Sequence, residues 1–132
     1  MKDVAKKLVL NLITIYCLFE GNMKTAKEAY WEALKGINIK ENEKIVLESK
    51  DIHYCCCFAR NIFQANTKPF EELILERKEC WYCYWFAKYV KESNRENLFK
   101  VILESGHGDC INNFLKNVEF NKEKFANYLL FI

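Results

Sequence analysis

Apolar and polar positions along this chain follow a pattern that itself repeats. The stretches "LESKDIHYCCCFARNI" (from Leu47), "LERKECWYCYWFAKYV" (from Leu75) and "LESGHGDCINNFLKNV" (from Leu103) align without gaps at an offset of 28 residues. Phe58, Phe86 and Phe114 coincide, as do Ile62, Val90 and Val118, with Leu34 one period earlier. Upstream, Asn38, Asn66 and Asn94 fall in register, followed by Ile45, Leu73 and Val101 and then by Leu47, Leu75 and Leu103. Glu20, Glu48, Glu76 and Glu104 carry the period back into the N-terminal segment. A fixed period of this length marks a repeat architecture whose unit is one supersecondary element.

Each unit divides into two helical stretches. In "DIHYCCCFARNIF" the recurrent apolar residues Tyr54, Cys55, Phe58, Ala59 and Ile62 lie along one face of an α-helix, the first or A helix of the unit. The recurrent asparagines stand where a side-chain oxygen can cap the second or B helix, and Pro69 falls in a first turn, where its missing donor costs nothing. Asp51 and Asp109 suit the N-termini of their A helices, while Gly106 and Gly108 loosen the last junction. The spacing predicts nine short helices, over 3–20, 23–35, 39–48, 51–63, 67–76, 79–91, 95–104, 109–118 and 121–131. Helix pairs that cannot bury their apolar faces alone stack on their neighbours. The expected fold is therefore all-α, a compact α-solenoid of about four stacked helix pairs. It forms a single domain over 1–132, with a cap helix at 1–20 and repeats at about 22–48, 50–76, 78–104 and 106–131.

The units "YCCCFARNI" and "YCYWFAKYV" resemble the short helix-pair repeats of bacterial and phage proteins, in which Tyr-x-x-x-Phe-Ala-x-x-Val precedes an Asn-capped Leu/Ile helix. The broader class is HEAT-like and ankyrin-like. The resemblance covers roughly residues 20–118, and "CINNFLKNV" lacks both the Tyr and the Ala. It implies a scaffold for macromolecular recognition and leaves the partner open.

Composition narrows the picture. A chain of 132 residues, half apolar and with one Pro and four Gly, can build one core and suits neither disorder nor a turn-rich β fold. A net charge of +2 from interspersed Lys and Glu lacks the footprint of a dedicated nucleic-acid binder. Seven cysteines, three of them consecutive (Cys55, Cys56, Cys57), do not suit a disulfide framework and point to a reducing cytoplasmic setting. The N-terminal "MKDVAKKLVLNLITIYCLF" is apolar from Leu8 to Phe19, but Asn11 and Thr14 interrupt it and no cleavage site follows. It is shorter than the ~20 residues of a spanning helix, so a buried helix and no membrane association are expected. The abundance of Lys, Asn, Ile, Phe and Tyr hints at an AT-rich coding genome.

The densest chemistry sits in "CWYCYWFAK", residues 80–88. Cys83 aligns with Cys55 and Ile111, a column that asks for a small apolar group. Cys80 and Cys83 could supply half a zinc site, completed by His53, Cys56, Cys57, His107 or Cys110. Packed helices lie ~8–10 Å apart, whereas two thiolates on one zinc approach within about 4 Å, which weighs against it. A redox CxxC would follow a strand, and no strand pattern precedes this one. No cofactor is expected.

Trp81, Tyr84 and Trp85 share columns with His53 and Asp109, Cys56 and Asn112, and Cys57 and Asn113, polar enough to predict that they face outward. With Lys88 they form one exposed stripe. Beside it runs the basic column Arg60, Lys88 and Lys116, and Asn112 and Asn113 complete the expected partner-binding face. The bland alternative is that the tryptophans fill grooves between A helices. Aromatic rings beside cations also permit a nucleic-acid reading, against the mixed charge. The glutamate ladder reads as structural, through backbone amides or neighbouring lysines. No GxSxG, P-loop, HExxH or dinucleotide fingerprint occurs, so catalysis is not expected.

These features predict a non-catalytic protein–protein interaction module. The expected form is a small stoichiometric inhibitor or adaptor carried by a phage or other mobile element. Its target class would be a bacterial defence complex such as a CRISPR effector. A nucleic-acid-binding repeat and a zinc-stabilised domain are the alternatives. The apolar C-terminus "KFANYLLFI" predicts either a fold back onto the stack or a homodimer through that end.

Overall fold

In the computed structural model, residues 2–21 and 24–129 are described, with side chains for 3–12, 24–127 and 129. The chain forms α1 (Lys2–Gly21), α2 (Ala26–Leu34), α3 (Ile39–Ser49), α4 (Ile52–Asn61), α5 (Thr67–Arg77), α6 (Cys80–Tyr89), α7 (Arg95–Ser105) and α8 (Gly108–Asn117). A 3-10 turn at Lys122–Phe125 then leads into α9 (Ala126–Leu129). There is no strand among the described residues. The fold is all-α. The A helices α4, α6 and α8 start at Ile52, Cys80 and Gly108, and the B helices α3, α5 and α7 at Ile39, Thr67 and Arg95, each step being 28 residues.

This register is written in what is buried. Val46, Ile74 and Ile102 are one buried column of the B helices. Cys55, Cys83 and Ile111, then Phe58, Phe86 and Phe114, then Ile62, Val90 and Val118 are three buried columns of the A helices. Aromatic contacts tie A to B: Phe58 stacks on Phe70 at 5.5 Å and Phe114 meets Phe99 at 5.0 Å. The core continues without a break from Ala29 to Phe125. The tyrosines expected in it, Tyr54 and Tyr82, are half-buried at its edge, because their ring-bearing positions border the outer face of the A helices.

Polar contacts also recur at the period. The Asn66 amide donates to Glu43 Oε1 at 2.8 Å, and the Asn94 amide donates to Glu71 Oε1. A second repeating rung thus stands at Glu43 and Glu71. On the ladder read from the sequence, in the last turn of the B helices, Glu48 pairs with its neighbour Lys44 at 3.9 Å, and the Glu20 side chain lies outside the described residues. Arg77 and Arg95 add further ties, donating to the Lys50 carbonyl at 2.8 Å and to the Ala87 and Glu119 carbonyls at 2.9 Å.

Of the expected asparagine caps, Asn94 accepts from the Asn97 amide at 3.1 Å, while Asn66 makes no side-chain cap bond. Asn38 is left-handed with φ 45° and turns its amide toward Glu32 instead. Asp51 caps α4 through the Tyr54 amide at 3.2 Å. His107, rather than Asp109, caps α8, its Nδ1 accepting from the Cys110 amide at 3.3 Å.

The expected buried N-terminal helix is corrected over its described side chains. Val4, Leu8, Val9, Leu10 and Leu12 are exposed. Apolar residues at 8, 9, 10 and 12 wind around the helix instead of forming one stripe, so a stack covering one side cannot cover them all. Among the described residues, no helix is long and apolar enough to cross a membrane. At the other end Phe125 is buried edge-on against Phe99 at 5.0 Å, so the described part of the C-terminal segment folds back onto the stack. Leu130, Phe131 and Ile132, on which the dimer expectation also rests, lie outside the described residues.

Each B helix ends on a left-handed residue whose amide caps the last turn: Lys50 (φ 56°), Lys78 (φ 57°) and Gly106 (φ 69°). Only glycine adopts this conformation without a Cβ penalty. Lys78→Gly is therefore expected to stabilise the fold by about 1 kcal/mol, seen as a melting temperature a few degrees higher. Lys78→Ala, which keeps the Cβ, should show no such gain in the same thermal denaturation series.

Candidate functional site

The outer face of the A helices carries the residues singled out in the sequence, and neighbouring repeats treat them differently. At the α6/α8 junction Tyr84 is buried, only 6% exposed. Its ring lies over Phe114 at 6.4 Å, and its hydroxyl accepts from Asn117 Nδ2 at 3.1 Å. At the α2/α4 junction Tyr30 has the same part, its hydroxyl accepting from Asn61 Nδ2 at 2.8 Å. In both places a tyrosine from one A helix fills the gap and is clasped by an asparagine from the last turn of the next.

The α4/α6 junction lacks this plug. In register with Tyr84 stands Cys56, and in register with Asn61 and Asn117 stands Tyr89. The junction is consequently open as a groove of about 330 Å³, lined by His53, Cys56, Cys57, Arg60, Tyr82, Trp85 and Tyr89, with Phe86 and Val90 at its floor. At one end the Cys57 sulfur lies 3.7 Å from His53 Nε2. At the other the Arg60 guanidinium lies 3.6 Å from the centre of the Tyr89 ring, a stacked cation–π contact. Lys88 stands beside the same ring at 5.2 Å. Tyr84 first, and then Tyr89, raise its ammonium pKa above the ordinary lysine value.

The expected single stripe of Trp81, Tyr84, Trp85 and Lys88 is thus divided. Trp85, 45% exposed, packs edge-on against Tyr82 at 5.5 Å and opens onto the groove. Trp81, 37% exposed, leans the other way onto His107 at 5.6 Å. Tyr84 is a packing residue, contrary to the expectation that its column faces outward. That expectation relied on Asn112, but α8 is the last A helix among the described residues, so the polarity of Asn112 reflects the end of the stack and not the interior junctions. Asn112 and Lys116 are exposed on α8 away from the groove, and Asn113 spends its amide on the Asp109 carbonyl at 2.7 Å. Arg60, Trp85 and Lys88 come together; Trp81, Asn112, Asn113 and Lys116 do not join them. His53, Cys56, Cys57, Tyr82 and Tyr89 line the groove beside them; in the sequence His53, Cys56 and Cys57 read as zinc candidates and Tyr82 as core, and the signal for the groove was Tyr89 standing in the column of Asn61 and Asn117.

The described cysteine sulfurs turn to different neighbours. The two sulfurs of the CxxC diverge: Cys83 is fully buried and donates to the Ile74 carbonyl at 3.9 Å, while Cys80 is half-buried and acts electrostatically on Cys110 of α8. Cys55 likewise donates to the Val46 carbonyl at 3.5 Å. Among the described residues no group of three or more His, Cys, Asp and Glu side chains converges as metal ligands. Burial, aided by the Asp51 charge, pushes the Cys55 thiol up to about 12. Burial followed by Cys80 does the same for Cys83 and Cys110, each pushed up to about 12. Burial also raises Cys56 and Cys57. These are neutral apolar fillers at physiological pH, not thiolate nucleophiles.

A thiol whose folded pKa exceeds its unfolded value favours folding most below the unfolded pKa, and the advantage fades as pH rises through that value toward the folded one. In reducing buffer, stability in urea is expected to hold at neutral pH and to fall steadily as pH passes about 9 toward 12. A Cys55→Val/Cys83→Val variant should show a shallower fall. Comparison with protein-family models, with curated proteins and with solved structures finds no match for this chain.

Proposed function

We propose that the chain is a non-catalytic protein-interaction module, a small stoichiometric inhibitor or adaptor that engages its partner with the outer face of its A helices at the α4/α6 groove. The observation that carries this reading is Trp85, half exposed at the rim of an aromatic groove that the two neighbouring junctions fill with a tyrosine. A tryptophan and an arginine at the edge of a concave apolar surface are the residues that dominate binding energy at protein interfaces. The likeness of the repeats to the short helix-pair repeats of bacterial and phage proteins supports the same reading. A bacterial defence complex is the partner class that chain size and composition suggest.

Affinity capture from host lysate with the wild type and Trp85→Ala, matched by helical circular dichroism, tests this reading. The wild type is expected to retain a protein partner that Trp85→Ala binds about 30-fold more weakly, the effect of a hot-spot residue worth about 2 kcal/mol. Retention should persist at raised salt, since an aromatic interface is screened far less than phosphate contacts. Equal capture by both proteins would show that Trp85 is a bystander, and nucleic acid recovered only at low salt would replace the reading with a nucleic-acid one.

A further inference from the structure

The α4/α6 groove has a cationic end: Arg60 lines it and Lys88 stands beside it, both in the last turns of their helices. At the N-terminal ends of α4 and α6, Asp51 and Glu79 each follow a lysine, Lys50 and Lys78, so the charge there is balanced. Among the described residues neither Arg60 nor Lys88 holds an ion pair with a carboxylate; the pairs formed are Lys24–Glu32 and Lys44–Glu48.

Arg60 presents an unusual surface. The flat face of its guanidinium is taken by Tyr89. Stacking uses the π face and leaves the N–H edges in the plane of the group, where a carboxylate can accept two parallel bonds. Arg60, Tyr89 and Val90 also border a second hollow of about 290 Å³ that runs on to Phe63, Lys91 and Glu92. The Arg60–Tyr89 pair therefore stands between two hollows, one lined by Trp85, Tyr82 and Cys56 and the other by the almost wholly exposed Phe63.

We propose that this groove receives a segment of a partner protein that presents a large apolar side chain beside a carboxylate. The apolar side chain lies against Trp85, Tyr82 and Cys56, and the carboxylate meets the free edge of the Arg60 guanidinium with Lys88 nearby. The inference rests on the protein-interaction reading above and adds the chemistry and direction of the occupant. A nucleic-acid strand fits less well, because the groove lining holds one arginine, Arg60, and no lysine, with only Lys88 beside it to meet successive phosphates. The vacancy itself comes from Cys56, where the equivalent position of α6 holds the plug Tyr84.

The test uses the full chain, labelled with nitrogen-15, and two probes of one shape: N-acetyl-tryptophan, which has a carboxylate, and N-acetyl-tryptophanamide, which does not. Amide resonances of residues lining the groove are expected to shift with both probes, with the acid bound about tenfold more tightly, the contribution of one charge-assisted pair. Arg60→Gln should lower the acid to the affinity of the amide and leave the amide unchanged. Cys56→Tyr, which copies the plug tolerated at residue 84, should abolish both. Equal binding of acid and amide, or shifts confined to residues away from the groove, overturns the proposal. So does an oligothymidylate probe that shifts the groove resonances at low salt more strongly than the acid. If Cys56→Tyr loses its helical circular dichroism, Arg60→Gln still decides. Capture of a partner that depends on Trp85 despite failure with these probes would leave the interaction reading standing and remove only the acidic–apolar occupant.

Discussion

The burial of one phenylalanine per A helix, Phe58, Phe86 and Phe114, sets the distance at which successive helix pairs stack. Each ring is held by an aromatic or aliphatic partner on a B helix, as Phe58 is by Phe70 and Phe114 by Phe99. Substituting any of them by a small residue would leave a cavity of the kind that costs about 3–5 kcal/mol, a large share of the stability of a domain this size. Successive A helices consequently present the same buried columns to the B helices, whatever residues lie outside the core. The outer face is left as a series of gaps between neighbouring helices.

Such a gap can be filled or left open by a single side chain. Tyr30 and Tyr84 fill theirs, and the asparagine in the last turn of the next A helix satisfies each buried hydroxyl. Between α4 and α6 a cysteine stands where the plug would be, and a tyrosine where the clasp would be. The core beneath remains packed, because Cys55, Phe58, Cys83 and Phe86 keep their columns. Core packing and the shape of the outer face are therefore assigned to different positions of the same helix: residues facing the B helices carry the first, and residues facing the next A helix decide the second. The cysteines belong on both lists, as fillers in the buried column and as the small groups that leave the groove open.

The electrostatics follow the same division. The bonds that join units are short and local, from Glu43, Glu71, Arg77 and Arg95 to backbone groups of neighbouring elements, Arg95 reaching the adjacent unit at the Glu119 carbonyl. The cations on the outer face take no part in this. Arg60 and Lys88 meet aromatic rings in place of carboxylates. Their position next to an open apolar groove gives this array a cationic rim with no carboxylate partner among the described residues.

The sequence by itself determined the period, the division of each unit into two helices, and the core columns at Phe58, Phe86 and Phe114 and at Ile62, Val90 and Val118. These are legible because burial in a stacked repeat constrains the same position in every unit, so agreement between units reports it directly. The tertiary structure decided the rest. Whether Tyr84 or Trp85 is buried depends on which neighbouring helix each ring leans toward, and both stand on the same side of α6 in the helical pattern. The divergence of Cys80 and Cys83 came from the same source, one sulfur turning to Ile74 and the other to Cys110. The carboxylates that bond between units, Glu43 and Glu71, also share a column, but only the packed structure brings each to the amide of the next unit's asparagine. The groove arose from a small residue, Cys56, facing a helix that offers Tyr89 where Asn61 and Asn117 stand in their own helices, and that juxtaposition exists only once the two helices are packed.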